Sequence, residues 1–369
     1  MSLRDLPAEM LDQVASNLSV RDQLNISETC SLIWYAFIRR IFKVVEFKGN
    51  RRQVTAMLLN FLANNNTPRI QEIKKHARSV SFVILTDTID NHHQEDDGLT
   101  PSLILSAIHK FPRVFALGLE VNGLSSNEQK ALQIQAKTAR RWTAVTHLRV
   151  DLPNPVFQRL LQTSLHGANI RAVDVNGDLK DRHLNLLGRH LPDIQKLRVR
   201  MRDPVLDCWK FTPNNVLQGD QVCFRDFANL ECLILAEGNP RSHIRHSSVR
   251  SEEGFANNVQ EFINSLKSMG NLRRLAIEFS TRILVWTVDQ DLQEGSEDRG
   301  ELNFTCAFIV LEMGGNLGDL SEMCLVEHTD LYHGRLLVHR GIRTEEYGVM
   351  ETSREIAGPR DTFPRGLLY

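Results

Sequence analysis

The sequence predicts an α/β chain: a short all-helical N-terminal module, followed by an irregular solenoid of strands and helices with a parallel concave sheet. Two patterns predict this. Between Met10 and Ile41, apolar residues recur at three- and four-residue spacing, the period of helices that bury one face. From Ala77 onward a phrase of three apolar anchors, spaced first by two residues and then by one, occurs eight times with helical stretches between. A strand that returns in this way builds a solenoid, each unit burying its anchors against the next.

The first helix opens at Pro7, which suits a first turn, and Glu9 places a negative charge near the positive end of the helix dipole. Met10, Leu11, Val14 and Leu18 form its apolar face; Asp12, Gln13, Ser16 and Asn17 lie outside that set. Ser19 followed by Asp22 has the spacing of a capping box and opens a second helix with Leu24, Ile26 and Cys30. A third apolar run holds Ile33, Trp34, Phe37, Ile38, Ile41 and Phe42. These are too many large side chains for roughly 45 residues to bury alone, since domains that small are only marginally stable. Some of them are expected to face another protein.

Leu6-Pro7-Xaa-Glu9, the ladder through Leu18, then Asp22, Leu24, Cys30, Trp34 and the closing Phe42-Lys43-Val44-Val45-Glu46-Phe47 resemble the F-box family in order and spacing. The resemblance implies a three-helix module over residues 1–50 that docks on the Skp adaptor of a cullin-RING ubiquitin ligase. Leu6, Pro7, Met10, Leu11, Val14, Leu18 and Leu24 are the contact residues it implies. Gln23 and Glu28 stand where the family usually has apolar residues.

Residues 51–68 read as a helical linker, with Val54, Leu58, Leu59 and Leu62 on one side and Asn64 to Pro68 as the stop. The repeat domain is expected over 69–341. Its phrases are Ala77-Val80-Phe82, Val114-Leu117-Leu119, Val145-Leu148-Val150, Ile170-Val173-Val175, Ile194-Leu197-Val199, Leu230-Leu233-Leu235, Leu272-Leu275-Ile277 and the weaker Leu320-Met323-Leu325. Helices are expected at 103–110, 127–141, 156–165, 182–190 and 256–267. The pattern resembles leucine-rich repeats, although only Leu148, Val173 and Leu197 stand 25 and 24 residues apart, and the other middle anchors are separated by 31 to 48. An open doubly wound sheet is disfavoured because no glycine-rich phosphate loop follows the first strand of the domain. Residues 86–100 and 237–254 read as exposed loops, and 342–369 as a polar, frayed tail.

Composition narrows the function. With 44 Lys plus Arg against 45 Asp plus Glu, nothing argues for a nucleic-acid partner, and no apolar run is long enough for a membrane. Six singly scattered cysteines and the lack of a signal-peptide core fit a reduced compartment, cytosol or nucleus. His92 and His93 beside Glu95, Asp96 and Asp97, and the pair His243 and His246, read as solvated loops rather than metal ligands. Gly314 to Gly318 reads as a helix stop. No nucleophile elbow, Walker loop or His-Glu-Xaa-Xaa-His stretch is present, so neither catalysis nor a cofactor is expected.

If the anchors point into the core, the residues between and just after them face outward on the concave sheet. That line carries Arg149, Arg171, Lys196, Arg198, Arg200, Arg273 and Arg274, together with His147, Asp151, Asp174, Asn176 and Glu278. Guanidinium forks bind two oxygens in one plane, so an acidic or phosphorylated segment of a target is the expected ligand. The expected function is a non-catalytic, substrate-recruiting subunit of a Skp-cullin-F-box ubiquitin ligase. The alternatives are an adaptor-bound scaffold without a role in ubiquitin transfer and an α/β enzyme of unrecognised type.

Overall fold

The computed structural model describes residues 6–86, 99–165, 169–179, 181–201, 226–237, 259–260, 262–280, 297–328, 336–344, 350–356 and 362–367. The histidines at 92, 93, 243 and 246 lie outside these residues. The chain divides into two compact units, Met1–Asn169 and Ile170–Tyr369.

The first unit opens with α1 (Ala8–Ser16), α2 (Val20–Ser27) and α3 (Ser31–Ile41). The first two begin at Pro7 and Ser19 as expected, but α2 ends at Ser27, so Cys30 is not in it and instead stands at the N-cap of α3. Ser19 caps α2 by accepting from the Asp22 backbone N–H, as the cap pattern requires. Leu11 and Ala15 of α1 meet Ile33, Phe37 and Ile41 of α3 in a buried cluster. Asp12 and Arg40 join the same two helices from outside through two hydrogen bonds of 2.6 and 2.8 Å.

Four parallel strands follow, each next to the last: β1 (Val44–Gly49), β2 (Ser79–Ile84), β3 (Ala116–Glu120) and β4 (His147–Asp151). The anchors align across them, Val80 with Leu117 and Leu117 with Leu148, and all are buried. The connecting helices are α4 (Arg51–Ala63), α5 (Pro68–His76), α6 (Leu99–Ile108) and α7 (Ser126–Gln135); α8 (Asn154–Gln162) follows β4.

The boundary between helical module and sheet differs from the expected one. The closing phrase of the F-box-like motif is the first strand of the sheet, with Phe47 opposite Phe82. Residues 51–68 are the connection of a regular unit: α4 has a complete capping box between Asn50 and Gln53 and buries Val54, Leu58 and Phe61. Phe47 stacks on Phe82 at 5.3 Å between ring centroids and meets Phe61 edge-on at 5.5 Å. The strand escaped the anchor pattern because only Phe47 among its large side chains is buried, while Val44, Glu46 and Lys48 are exposed.

The second unit holds β5 (Ala172–Leu179), α9 (Asp181–His190), β6 (Lys196–Met201), β7 (Cys232–Glu237), β8 (Arg274–Ser280), α10 (Glu297–Asn316), β9 (Glu322–His328), β10 (Leu337–Arg343) and β11 (Met350–Ile356). Strands β5 to β9 are parallel neighbours in sequence order. Val173, Leu197, Leu233, Leu275 and Met323 form one buried row across them. Gly314 and Gly315 lie inside α10, which runs on to Asn316, so of the expected helix stop only Gly318 falls in the turn ahead of β9. Strands β10 and β11 then add antiparallel pairings to the edge.

The expected tail is therefore partly sheet. Strand β11 lies within it, and residues 362–367 pack on the unit, Leu367 sitting in a buried cluster with Cys232, Ile234, Ala276, Cys324, Val326 and Val338. Composition hid the strand because Met350 is its one buried residue. Met350 occupies the space above Gly314 and Gly341; a Cβ on Gly314 would collide with Met350, and one on Gly341 with Val310. Small residues let helix and hairpin approach closely there.

Candidate functional site

Two surfaces carry the residues singled out by sequence. In the helical module, the seven implied adaptor contacts divide. Pro7 and Met10 are exposed, Met10 at 49%. Leu6, Val14, Leu18 and Leu24 are half-buried against the module's own cluster. Leu11 is 2% exposed and belongs to the core, where a partner does not reach it. The reason is geometric: on a 3.6-residue period Leu11 faces α3, and Met10, one residue back, is turned about 100° away.

Sequence reasoning did not single out Leu32 and Tyr35, which α3 leaves exposed at 51% and 66%. Their signal lay in α3 itself, apolar around more of its circumference than one core contact uses. Trp34 is taken within the first unit: Phe42 meets it edge-on at 5.7 Å and the Arg69 guanidinium lies 5.5 Å from its centroid.

The second surface is the side of the sheet opposite the anchors. In the first unit its charges pair locally, with Arg149 Nε 2.8 Å from Glu120 and the Asn122 amide on Asp151. In the second unit the expected cations separate into distinct roles. Arg198 is no open docking cation. Its side chain is 11% exposed and donates to Asp174 at 3.1 Å, Asn176 at 2.6 Å and Glu278 at 3.4 Å. Burial works against its charge, but the two carboxylates more than offset this and hold its pKa above the ordinary value. Arg171 and Arg273 are exposed at the entry to their strands, and Arg273 contacts Asp319 at 3.2 Å. Arg200 is half-buried.

Lys196 and Arg274 are brought together instead. They line a cavity of about 260 Å³ with Cys232, Glu322, Arg340 and the segment 362–367. The Arg274 guanidinium lies 5.2 Å from the Phe363 ring centroid. Sequence reasoning missed Arg340, Glu322 and this covering segment. The available signal was the apolar character of Cys232-Leu-Ile-Leu-Ala236 and Met323-Cys-Leu-Val326, continuous rather than alternating, which marks strands covered on both faces.

The cavity's cysteine, Cys232, and its neighbour Cys324 are not activated as nucleophiles. Burial pushes the Cys232 thiol up to about 11, and it pushes Cys324 up further, so both stay protonated near neutrality. Among the described residues no cluster of His, Cys, Asp or Glu could hold a metal, and no helix is long and apolar enough to cross a membrane. The arrangement suits binding of an anion or a peptide. No protein-family model matches the chain, and no curated protein matches it.

Proposed function

We propose that this chain is the substrate-recruiting subunit of a Skp-cullin-F-box ubiquitin ligase. The N-terminal module binds the Skp adaptor and, through it, a cullin, while the repeat domain holds a target protein. Its contribution is proximity: a held target meets a ubiquitin-charged enzyme at high effective concentration, so the chain itself makes no bond.

The observation that carries this reading is the apolar surface left over in the module. Its core is complete with Leu11, Ala15, Ile33, Phe37 and Ile41, yet Met10, Leu32 and Tyr35 remain exposed. Exposed apolar side chains on α1 and α3 that the filled core does not use are surface open to a partner. The test is co-purification of the full chain with the Skp adaptor beside a Met10→Asp, Tyr35→Asp variant. The native chain is expected to bind and the variant to lose binding with its circular dichroism unchanged. A native chain that does not bind would sink the proposal.

A further inference from the structure

We propose that the cavity in the second unit is a phosphate-monoester site, with Lys196 and Arg274 holding the anion above Cys232. Lys196, Cys232, Arg274 and Glu322 are aligned in one row across four successive parallel strands. Neighbouring strands lie roughly 4.8 Å apart, so the two cations stand on backbones roughly 10 Å apart with a short side chain between them. That arrangement of long, short and long side chains is what leaves the hollow.

Charge selects the ligand. Three cations, Lys196, Arg274 and Arg340, line the cavity against one carboxylate, Glu322. Glu322 is taken by Arg340, which also holds Glu355 at 2.7 Å. Among the described residues Lys196 and Arg274 have no ion-pair partner. Arg340 with Glu322 and Glu355 sums to one negative charge, so with Lys196 and Arg274 the whole group carries one net positive charge. The two cations left to a ligand can each take a separate oxygen of a phosphate monoester, which offers more acceptor oxygens and more charge than a carboxylate. Arg274 supplies the planar fork, held against the Phe363 ring, and Lys196 a mobile point charge. The protonated Cys232 thiol adds no opposing charge.

The phosphate belongs either to a phosphorylated side chain of a bound target or to a small free ester. The first deepens the recruiting role proposed above and rests on it; anion binding itself does not depend on the adaptor. The test is calorimetric titration of the full chain with inorganic phosphate, N-acetyl-phosphoserine methylamide and acetate. Both phosphates are expected to bind more tightly than acetate. Replacing Lys196→Met and Arg274→Met, which keeps the apolar stems, is expected to weaken phosphate binding at least tenfold while the melting temperature without ligand holds. Tighter binding of the phosphoserine amide assigns a phosphorylated side chain; equal binding assigns the bare anion or a small ester. Should the double variant not fold, Lys196→Met alone, at a half-buried position, carries the comparison. Failure of the native chain to bind phosphate, undiminished binding by the variants, or acetate binding equal to phosphate overturns the proposal and leaves the adaptor result untouched.

Discussion

Gln23 donates its side-chain amide to the Ala15 carbonyl at 2.8 Å, tying α2 to the end of α1. The same nitrogen reaches the Leu18 carbonyl at 3.0 Å. The last carbonyls of a helix lack partners within it, so a buried amide placed there replaces water. Gln23 occupies a position that is usually apolar in the family it resembles, and here the polar side chain has a structural task. Gln23→Leu is expected to restore the family pattern yet destabilise the module by ~1 kcal/mol, because the Ala15 carbonyl loses the amide and keeps the longer bond from the Leu18 N–H at 3.3 Å, while removal of the buried, unpartnered Gln23 Oε1 offsets part of the loss. A lower urea midpoint, with helical signal retained before the transition, is the measurement.

Phe47 tests whether the helical module ends where its motif ends. Its ring is packed between Phe82 and Phe61, and Phe61 in turn stacks on Phe111 at 5.1 Å. Phe47→Ala is expected to cost ~3–5 kcal/mol, the range for truncating a buried aromatic, and to lower the unfolding midpoint of the first unit. A residue in an exposed closing phrase would move it by less than ~0.5 kcal/mol.

All eight anchor phrases became strands in the predicted order, because each supplies three buried apolar residues, enough to outweigh irregular spacing. Anchor rows such as Val173, Leu197 and Leu233 followed from periodicity alone. Strands with one large buried side chain, β1 through Phe47 and β11 through Met350, carried too little pattern to be found. The site was legible in part. The phrase placed Lys196 and Arg274 on the outward face, but sequence cannot tell a cation that finds carboxylates, as Arg198 does, from one left open. That depends on Asp174 and Glu278 arriving from other strands.

Arg198 should therefore behave as a folding residue. Arg198→Ala leaves Asp174 and Glu278 facing each other without their cation, and losing one partner of a buried pair costs ~3–5 kcal/mol. Denaturant unfolding checks this, and the loss is expected to be far smaller for Arg273→Ala, whose partner Asp319 is exposed. Reversing Arg198 to Glu to probe target binding would report unfolding rather than recognition.

The segment 362–367 makes a last prediction, read at a thiol. Leu367 and Phe363 pack against the cluster that contains Cys232 and Cys324, so the cover and not the sheet alone keeps these thiols dry. At pH 8 iodoacetamide, followed by site-resolved mass spectrometry, is expected to label half-buried Cys30 well ahead of Cys232 and Cys324. Leu367→Asp places a charge in that cluster, lifts the cover and is expected to raise Cys232 labelling at least tenfold. The pH dependence follows from the direction of the shift. The folded state raises the Cys232 thiol from 9.0 to about 11, so it binds this proton more tightly than the unfolded chain does. The resulting stability is complete below pH 9 and is lost as pH rises toward 11. Labelling of Cys232 in the native protein should accordingly rise steeply only in that window. In Leu367→Asp the rise should move back toward pH 9, since water readmitted above the thiol removes the cause of the shift.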